Sequence, residues 1–208
     1  VLAGREARSQ DEAATKEVLA KIEMVEEVSA DRVKIQAKTA AWDDSAGGGL
    51  GQRSQVSVEY RLSIPPGLQV DLRTENGGIR LENVNGSFVT ASTNGGINAR
   101  ALSGSLSAAL VNGGIQADLA QVGGDVSLAT VNGGIRLALP PDAKGDVDVR
   151  AVNGGVSVDE RLRLEATEQE RLHIAGRLNG GGPKISAQTT NGGVRVSVRE
   201  ADGGPENP

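Results

Sequence analysis

Arg80, Asn98, Gln116, Arg136, Ser157 and Arg195 each stand four residues after the Asn of an Asn-Gly-Gly tripeptide. Guanidinium, amide and hydroxyl groups repeated at one register position are suited to donating hydrogen bonds rather than to breaking bonds. A polysaccharide or a partner protein offers the acceptors such groups would hold. Arg80, Asn98, Gln116, Arg136 and Arg195 therefore form a candidate binding ribbon for a polysaccharide or a partner protein. A solvated face that keeps a strand surface soluble is the preferred reading of the same residues.

Bond-breaking chemistry finds little to work with. His173 is the only histidine, so neither a Ser-His-Asp arrangement nor a multi-histidine metal site can be assembled. Within Arg171-Leu172-His173-Ile174 it reads as an ordinary strand residue. The absence of Cys removes thiolate zinc, cysteine nucleophiles and disulfides. The column six residues after each Asn reads Glu82, Arg100, Asp118, Ala138, Asp159 and Ser197. Acids there are separated by other residue types, so the carboxylate pair needed for glycoside hydrolysis does not form, and a surface ion pair between Glu82 and Arg100 is expected instead. Calcium-binding nonapeptide repeats need a recurring Asp after their glycines, where this chain has Arg80, Asn98 and Gln116. Asp43-Asp44 reads as a solvated acidic turn, and no glycine-rich segment ends in the Lys-Ser/Thr of a phosphate loop. The chain is read as a non-enzyme with no catalytic, cofactor-binding or metal-binding residues.

A ribbon of this kind needs a scaffold that returns the chain to the same place at a fixed interval. Asn-Gly-Gly begins at Asn76, Asn94, Asn112, Asn132, Asn153, Asn179 and Asn191, and a β-branched aliphatic follows every copy but that at Asn179. The unit is thus about 18 residues with insertions, one at Leu139–Asp146 and a larger one between Asp159 and Lys184. Three residues after the Asn stand Ile79, Ile97, Ile115, Ile135, Val156 and Val194; six before it stand Val70, Phe88, Leu106, Val126, Val147 and Ile185. Polar residues alternate with them, which is the period of half-buried strands. Each unit holds two strands and two corners, the second carrying Gly86, Gly104 and Gly124.

An antiparallel meander and a parallel β-solenoid both suit such a unit, and the solenoid is preferred. The two corner classes differ from each other while each resembles itself one unit later, as stacked corners would. Small residues such as Ala99, Ala108 and Ala117 also suit a narrow interior. The fold expected is all-β, a parallel solenoid of about six or more rungs. Its Asn76, Asn94, Asn112, Asn132, Asn153 and Asn191 form a hydrogen-bonded corner ladder. Winding in sequence order puts Asn132 inside that ladder and Asn191 near its end.

Composition bounds the remainder. Gly accounts for 29 of 208 residues, while Phe, Tyr and Trp occur once each, so no core is built on aromatics. A net charge of −5 offers no basic surface for nucleic acid, and no apolar run is long enough to span a membrane. Residues 1–10 are expected to be flexible. Residues 11–66 should supply a helix over 11–21 and strands at 22–28, 33–38 and 55–64 that cap and enter the solenoid. Trp42–Gly51 is expected to be a mobile loop, 67–198 to be the repeat solenoid, and 199–208 a disordered tail. The chain opens on Val1 rather than Met, from which a processed product is expected, with any signal or anchor outside it.

The Asn-Gly-Gly-Ile units, the segment Tyr60-Arg61-Leu62-Ser63-Ile64-Pro65-Pro66-Gly67 and the late Gly176-Arg177-Leu178-Asn179-Gly180-Gly181-Gly182-Pro183 together resemble the bacterial putative-adhesin domain family of unknown function, related to the head-GIN type. The resemblance covers roughly Ile22 to Val198. It implies a right-handed parallel β-solenoid at the cell envelope, exported or attached through a membrane segment absent from this chain. It implies no catalytic residues. The function expected is a non-catalytic envelope scaffold or adhesin-like interaction module, presenting loops such as Trp42–Gly51 and the Asp159–Lys184 excursion. The alternative is a polysaccharide-binding or polysaccharide-cleaving β-helix. Oligomeric state is left open.

Overall fold

Alternating apolar and polar residues make strands that bury every second side chain, and the Asn-Gly-Gly corners set where those strands end. The computed structural model describes residues 66–200 in full and, before them, the backbone of four strands: β1 (Leu2–Glu6), β2 (Ile22–Val28), β3 (Arg32–Thr39) and β4 (Glu59–Ser63). Then follow β5 (Leu68–Asn76), β6 (Ile79–Glu82), β7 (Asn85–Asn94), β8 (Ile97–Asn112), β9 (Ile115–Asn132) and β10 (Ile135–Leu139). After them come β11 (Gly145–Asn153), β12 (Val156–Val158), a 3-10 turn at Glu160–Leu162, β13 (Leu164–Gln169), β14 (His173–Leu178), β15 (Lys184–Asn191) and β16 (Val194–Val198). All belong to one open sheet folded into two faces.

Repeating units pair in parallel, like residue on like residue: Val70 with Phe88, Phe88 with Leu106, Ile79 with Ile97, Ile97 with Ile115. Strands that end at an Asn form one face, here the ladder face; strands that begin after Gly-Gly form the other, the groove face. β8 and β9 run through the second corner without interruption and so belong to both. That corner absorbs the two extra residues of the fourth unit as a register shift between Gly104 and Leu106, so that Gly104 pairs with Val122 and Gly123 packs against it.

The core lies between the faces. Ile79, Ile97, Ile115, Ile135 and Val194 from the groove face meet Val70, Phe88, Leu106, Val126, Ile185 and Val147 from the ladder face, all buried. Phe88 is the only Phe in the chain, and Ala99, Ala108 and Ala117 keep the interior thin around it.

The order of the units departs from sequential winding. On the ladder face β9 pairs with β15, and β15 with β11; on the groove face β10 pairs with β16, and β16 with β12. The last unit therefore lies between the fourth and the fifth, and Asn191 is an interior position instead of a terminal one. The physical cause is in the connections. Pro140–Lys144 carries the chain past one empty level, and β13 and β14 then form a hairpin, with β14 antiparallel to β11, before β15 and β16 fill the gap. The aberrant Asn179 copy is the turn that brings the chain back, and its side-chain Nδ2 donates to the Ala143 carbonyl at 2.7 Å.

Antiparallel strands flank the parallel stack: β2 on β3 and β1 on β4 at one end, β14 and β13 on β11 at the other. This is how the chain blunts the open edges that would otherwise pair with other chains. Leu2–Glu6, inside the stretch expected to be flexible, is strand β1. The Asp159–Lys184 excursion, expected as a presented loop, is the 3-10 turn and hairpin. The helix expected over 11–21 and the loop at Trp42–Gly51 lie outside the described residues, as does the tail from 201 onward.

Candidate functional site

Successive turns approach most closely at the Asn-Gly-Gly corner. A Cβ on Gly113, at φ +137°, would fall on the carbonyl oxygen of Gly95, and one on Gly133 would fall on that of Gly113. The turn beneath, as much as the backbone dihedral, is what demands glycine there. The amide of each first glycine except Gly154, on the last turn, donates to the Asn carbonyl of the next turn, as Gly133 does to Asn191 and Gly192 to Asn153. The amide after each second glycine does likewise, Ile135 to Gly193 and Val194 to Gly155.

First-glycine carbonyls are left out of this backbone scheme, and hydroxyls from the adjacent turn answer several of them. Ser92 Oγ donates to Gly77 O (3.2 Å), Thr130 Oγ1 to Gly113 O (3.1 Å) and Thr189 Oγ1 to Gly133 O (2.8 Å). These hydroxyl residues, two before the Asn and buried, are absent from the sequence reading. Their recurrence at Thr74, Ser92, Thr130 and Thr189 is the signal that would have revealed them. On the third turn the position is Leu110, which has no hydroxyl to offer Gly95.

The asparagine side chains do form a ladder. Asn94 Nδ2 donates to Asn76 Oδ1 (3.0 Å), Asn112 to Asn94 (2.9 Å), Asn132 to Asn112 (2.9 Å), Asn191 to Asn132 (2.8 Å) and Asn153 to Asn191 (2.9 Å). All six are solvent-exposed. Water can replace a missing partner there, so each link contributes about 0.5–1.5 kcal/mol, not the full cost of a stranded buried amide.

Beside the ladder, on the groove face, runs a groove of about 880 Å³. Its floor is the second glycine of each unit, with the following aliphatic in all but the Asn153 unit, and its wall is the ribbon in the order Arg80, Asn98, Gln116, Arg136, Arg195, Ser157. Six turns at about 4.8 Å per step give it a length of roughly 24 Å. Asn98 Nδ2 donates to Gln116 Oε1 at 3.1 Å, while Asn98 Oδ1 is occluded with no hydrogen-bond partner.

The intercalated last unit sets Arg195 directly against Arg136. Two like charges one strand apart repel by on the order of 1 kcal/mol in water, and nearby acids do not relieve them. Arg80 Nη1 lies 3.9 Å from Glu82, a pair expected with Arg100 instead. Arg199 Nε lies 2.7 Å from Asp118 Oδ1, an ion pair. Asp159 is engaged by Arg161 at 2.7 Å. Hydrogen bonds from the Arg161 side chain and backbone amide, in that order, hold the Asp159 carboxyl down at about 2. Among the described residues no carboxylate lies within ion-pair distance of Arg136 or Arg195.

Charge is unevenly divided between the two faces. Outward positions of the groove-face strands, with the residues immediately after them, carry five arginines and three acids. Outward positions of β5, β7, β11, β15 and the later halves of β8 and β9 carry five acids, Asp71, Glu75, Asp125, Asp146 and Asp148, and three cations. Over these strands, among the described residues, the groove face is net positive and the ladder face net negative, in a chain of net charge −5.

His173 belongs to the other face. Its Nε2 lies 3.2 Å from Asp148 Oδ1 and its Nδ1 contacts Glu168 Oε2, tying β13, β14 and β11 together. Hydrogen bonding from Arg150, above all, lowers the Asp148 pKa. Among the described residues no three His, Asp or Glu side chains are grouped to hold a metal ion. The acids of the Glu82 column remain separated in the observed order, and Asp43-Asp44 lies outside the described residues. Among the described residues no helix is long and apolar enough to cross a membrane.

The model of the family described as Toastrack DUF4097 matches residues 27–197. Among solved structures, the chain is similar to that of a putative cell adhesion protein from Clostridium sporogenes. The TM-score is 0.44 at 11% identity, over 86% of this chain and 77% of that one. No curated protein matches.

Proposed function

The chain belongs to the Toastrack DUF4097 family, and from that premise we propose that it is a non-catalytic, adhesin-like scaffold whose groove holds an extended partner of the cell envelope. The observation that carries this reading is the groove itself, which crosses all six Asn-Gly-Gly turns and repeats one glycine floor and one polar side chain at each. A linear partner meets the same geometry at every step. Stacked backbone bonds hold the wall rigid, so little conformational freedom is lost on binding. The resemblance to adhesin-like and head-GIN-related domains adds the envelope location, through export or an anchor outside this chain, and the right-handed sense of winding.

The test is retention of purified protein on envelope preparations of its host. Gln116→Trp fills the middle of the groove, and Ser107→Trp places the same bulk on the ladder face. Retention lost in the first variant and kept in the second is the expected result. Equal retention of both, with unchanged melting temperatures, removes the groove from the account.

A further inference from the structure

From the juxtaposition of Arg136 and Arg195 we infer that the groove takes an acidic polysaccharide, with these two guanidinium groups as the carboxylate subsite. The inference rests on the reading of the groove as a ligand surface and names the class of ligand.

The two arginines meet only because the last unit is intercalated; sequential winding would put Ser157 beside Arg136. They project into the groove one strand apart, and the acids of that face are held by other arginines. An unrelieved like-charge pair at a ligand-accessible wall is the kind of local conflict that marks a site awaiting an anion. Each arginine offers a planar fork that matches a carboxylate with two parallel hydrogen bonds. The free amide nitrogen of Gln116 and the hydroxyl of Ser157, along the same wall, match sugar hydroxyls. A pyranose unit advances about as far as one turn of the stack, so successive sugars meet successive side chains.

Other linear polymers fit less well. A peptide strand would need free backbone groups, but the floor amides and second-glycine carbonyls are consumed between turns, as in Ile115 to Gly134 and Ile135 to Gly193. Single-stranded nucleic acid would need aromatic platforms for its bases, and none lines the groove among the described residues. The same lack of an aromatic surface disfavours a neutral glycan and leaves charge to supply the attraction.

The experiment is titration of the whole chain with fluorescent polygalacturonate, neutral dextran and single-stranded DNA at low and physiological salt. Polygalacturonate alone should bind, more weakly as salt rises. Arg136→Gln with Arg195→Gln should weaken it by about tenfold or more, the loss of two charge-assisted forks. Arg73→Gln, on the ladder face, should leave it unchanged. Binding of DNA as tight as that of polygalacturonate, with the same sensitivity to the double variant, overturns the choice of a polysaccharide. No polygalacturonate binding, while Gln116→Trp still abolishes envelope retention, overturns the ligand class and leaves the groove reading standing. Envelope retention indifferent to Gln116→Trp overturns both.

Discussion

Arg136 and Arg195 are register partners in neighbouring parallel strands, although the whole fifth unit and the β13–β14 hairpin separate them in the chain. That relationship records how the protein is wound. The fourth unit leaves an empty level, the fifth is laid down beyond it, and the last fills the gap. Two arginines that sequential winding would keep apart come together at the groove wall, and the site and the topology become one fact.

The ladder responds to position in the stack and not to position in the chain. Asn132 and Asn191 each take part in two ladder bonds, whereas Asn153 takes part in one. Asn191→Ala should cost about 1–2 kcal/mol, as much as Asn132→Ala, and Asn153→Ala about half as much. Chemical denaturation of the three variants measures this. An Asn191→Ala as mild as Asn153→Ala would contradict the interior placement.

The buried hydroxyls make a second polar contribution. Thr130→Val keeps the shape of the side chain and removes the buried donor to Gly113 O. A loss of about 0.5–1.5 kcal/mol is expected, with Thr189→Val similar at Gly133. Unfolding curves that coincide with wild type for both variants would show that these carbonyls find another donor.

Much of the architecture can be read from the sequence. Ile79, Ile97, Ile115 and Ile135 recur after Gly-Gly, and Val70, Phe88, Leu106 and Val126 recur before Asn; only stacking puts such columns into one core. The order of the last two units cannot be read this way. The Asn132, Asn153 and Asn191 units carry equivalent residues, so each can pair with either of the others. The choice falls to Pro140–Lys144 and the β13–β14 hairpin, which carry no repeat. The hydroxyl column is hidden for a different reason: Leu110 and Ala151 interrupt it, so it looks like variable core. Ribbon residues are legible one at a time, but the Arg136–Arg195 contact is a product of order and is invisible to spacing.

Asp159 supplies a pH test. Its folded pKa is lowered from 3.8 to about 2 by the Arg161 hydrogen bonds. The stability it contributes is therefore fully present above the unfolded value near 3.8 and is lost as pH falls through about 2. Carbon-13 titration of the side-chain carboxyl should give a midpoint near 2, and Arg161→Ala should raise it toward the ordinary aspartate range. A wild-type midpoint already in that range would mean that the pair does not hold in solution.

The winding order itself can be read from an engineered disulfide, since the chain contains no cysteine. Ser127 and Ser186 are partners across β9 and β15, so their Cα atoms lie about 4.8 Å apart, within the range a disulfide spans. Ser127 and Asp148 lie two strands apart at roughly 9.6 Å, beyond that range, although sequential winding would make them neighbours. Oxidation of Ser127→Cys/Ser186→Cys should give one intramolecular disulfide, found by mass spectrometry of the digested monomer, while Ser127→Cys/Asp148→Cys should remain reduced. Closure of the second pair and not the first would contradict the intercalated unit, and with it the arginine pair on which the ligand site depends.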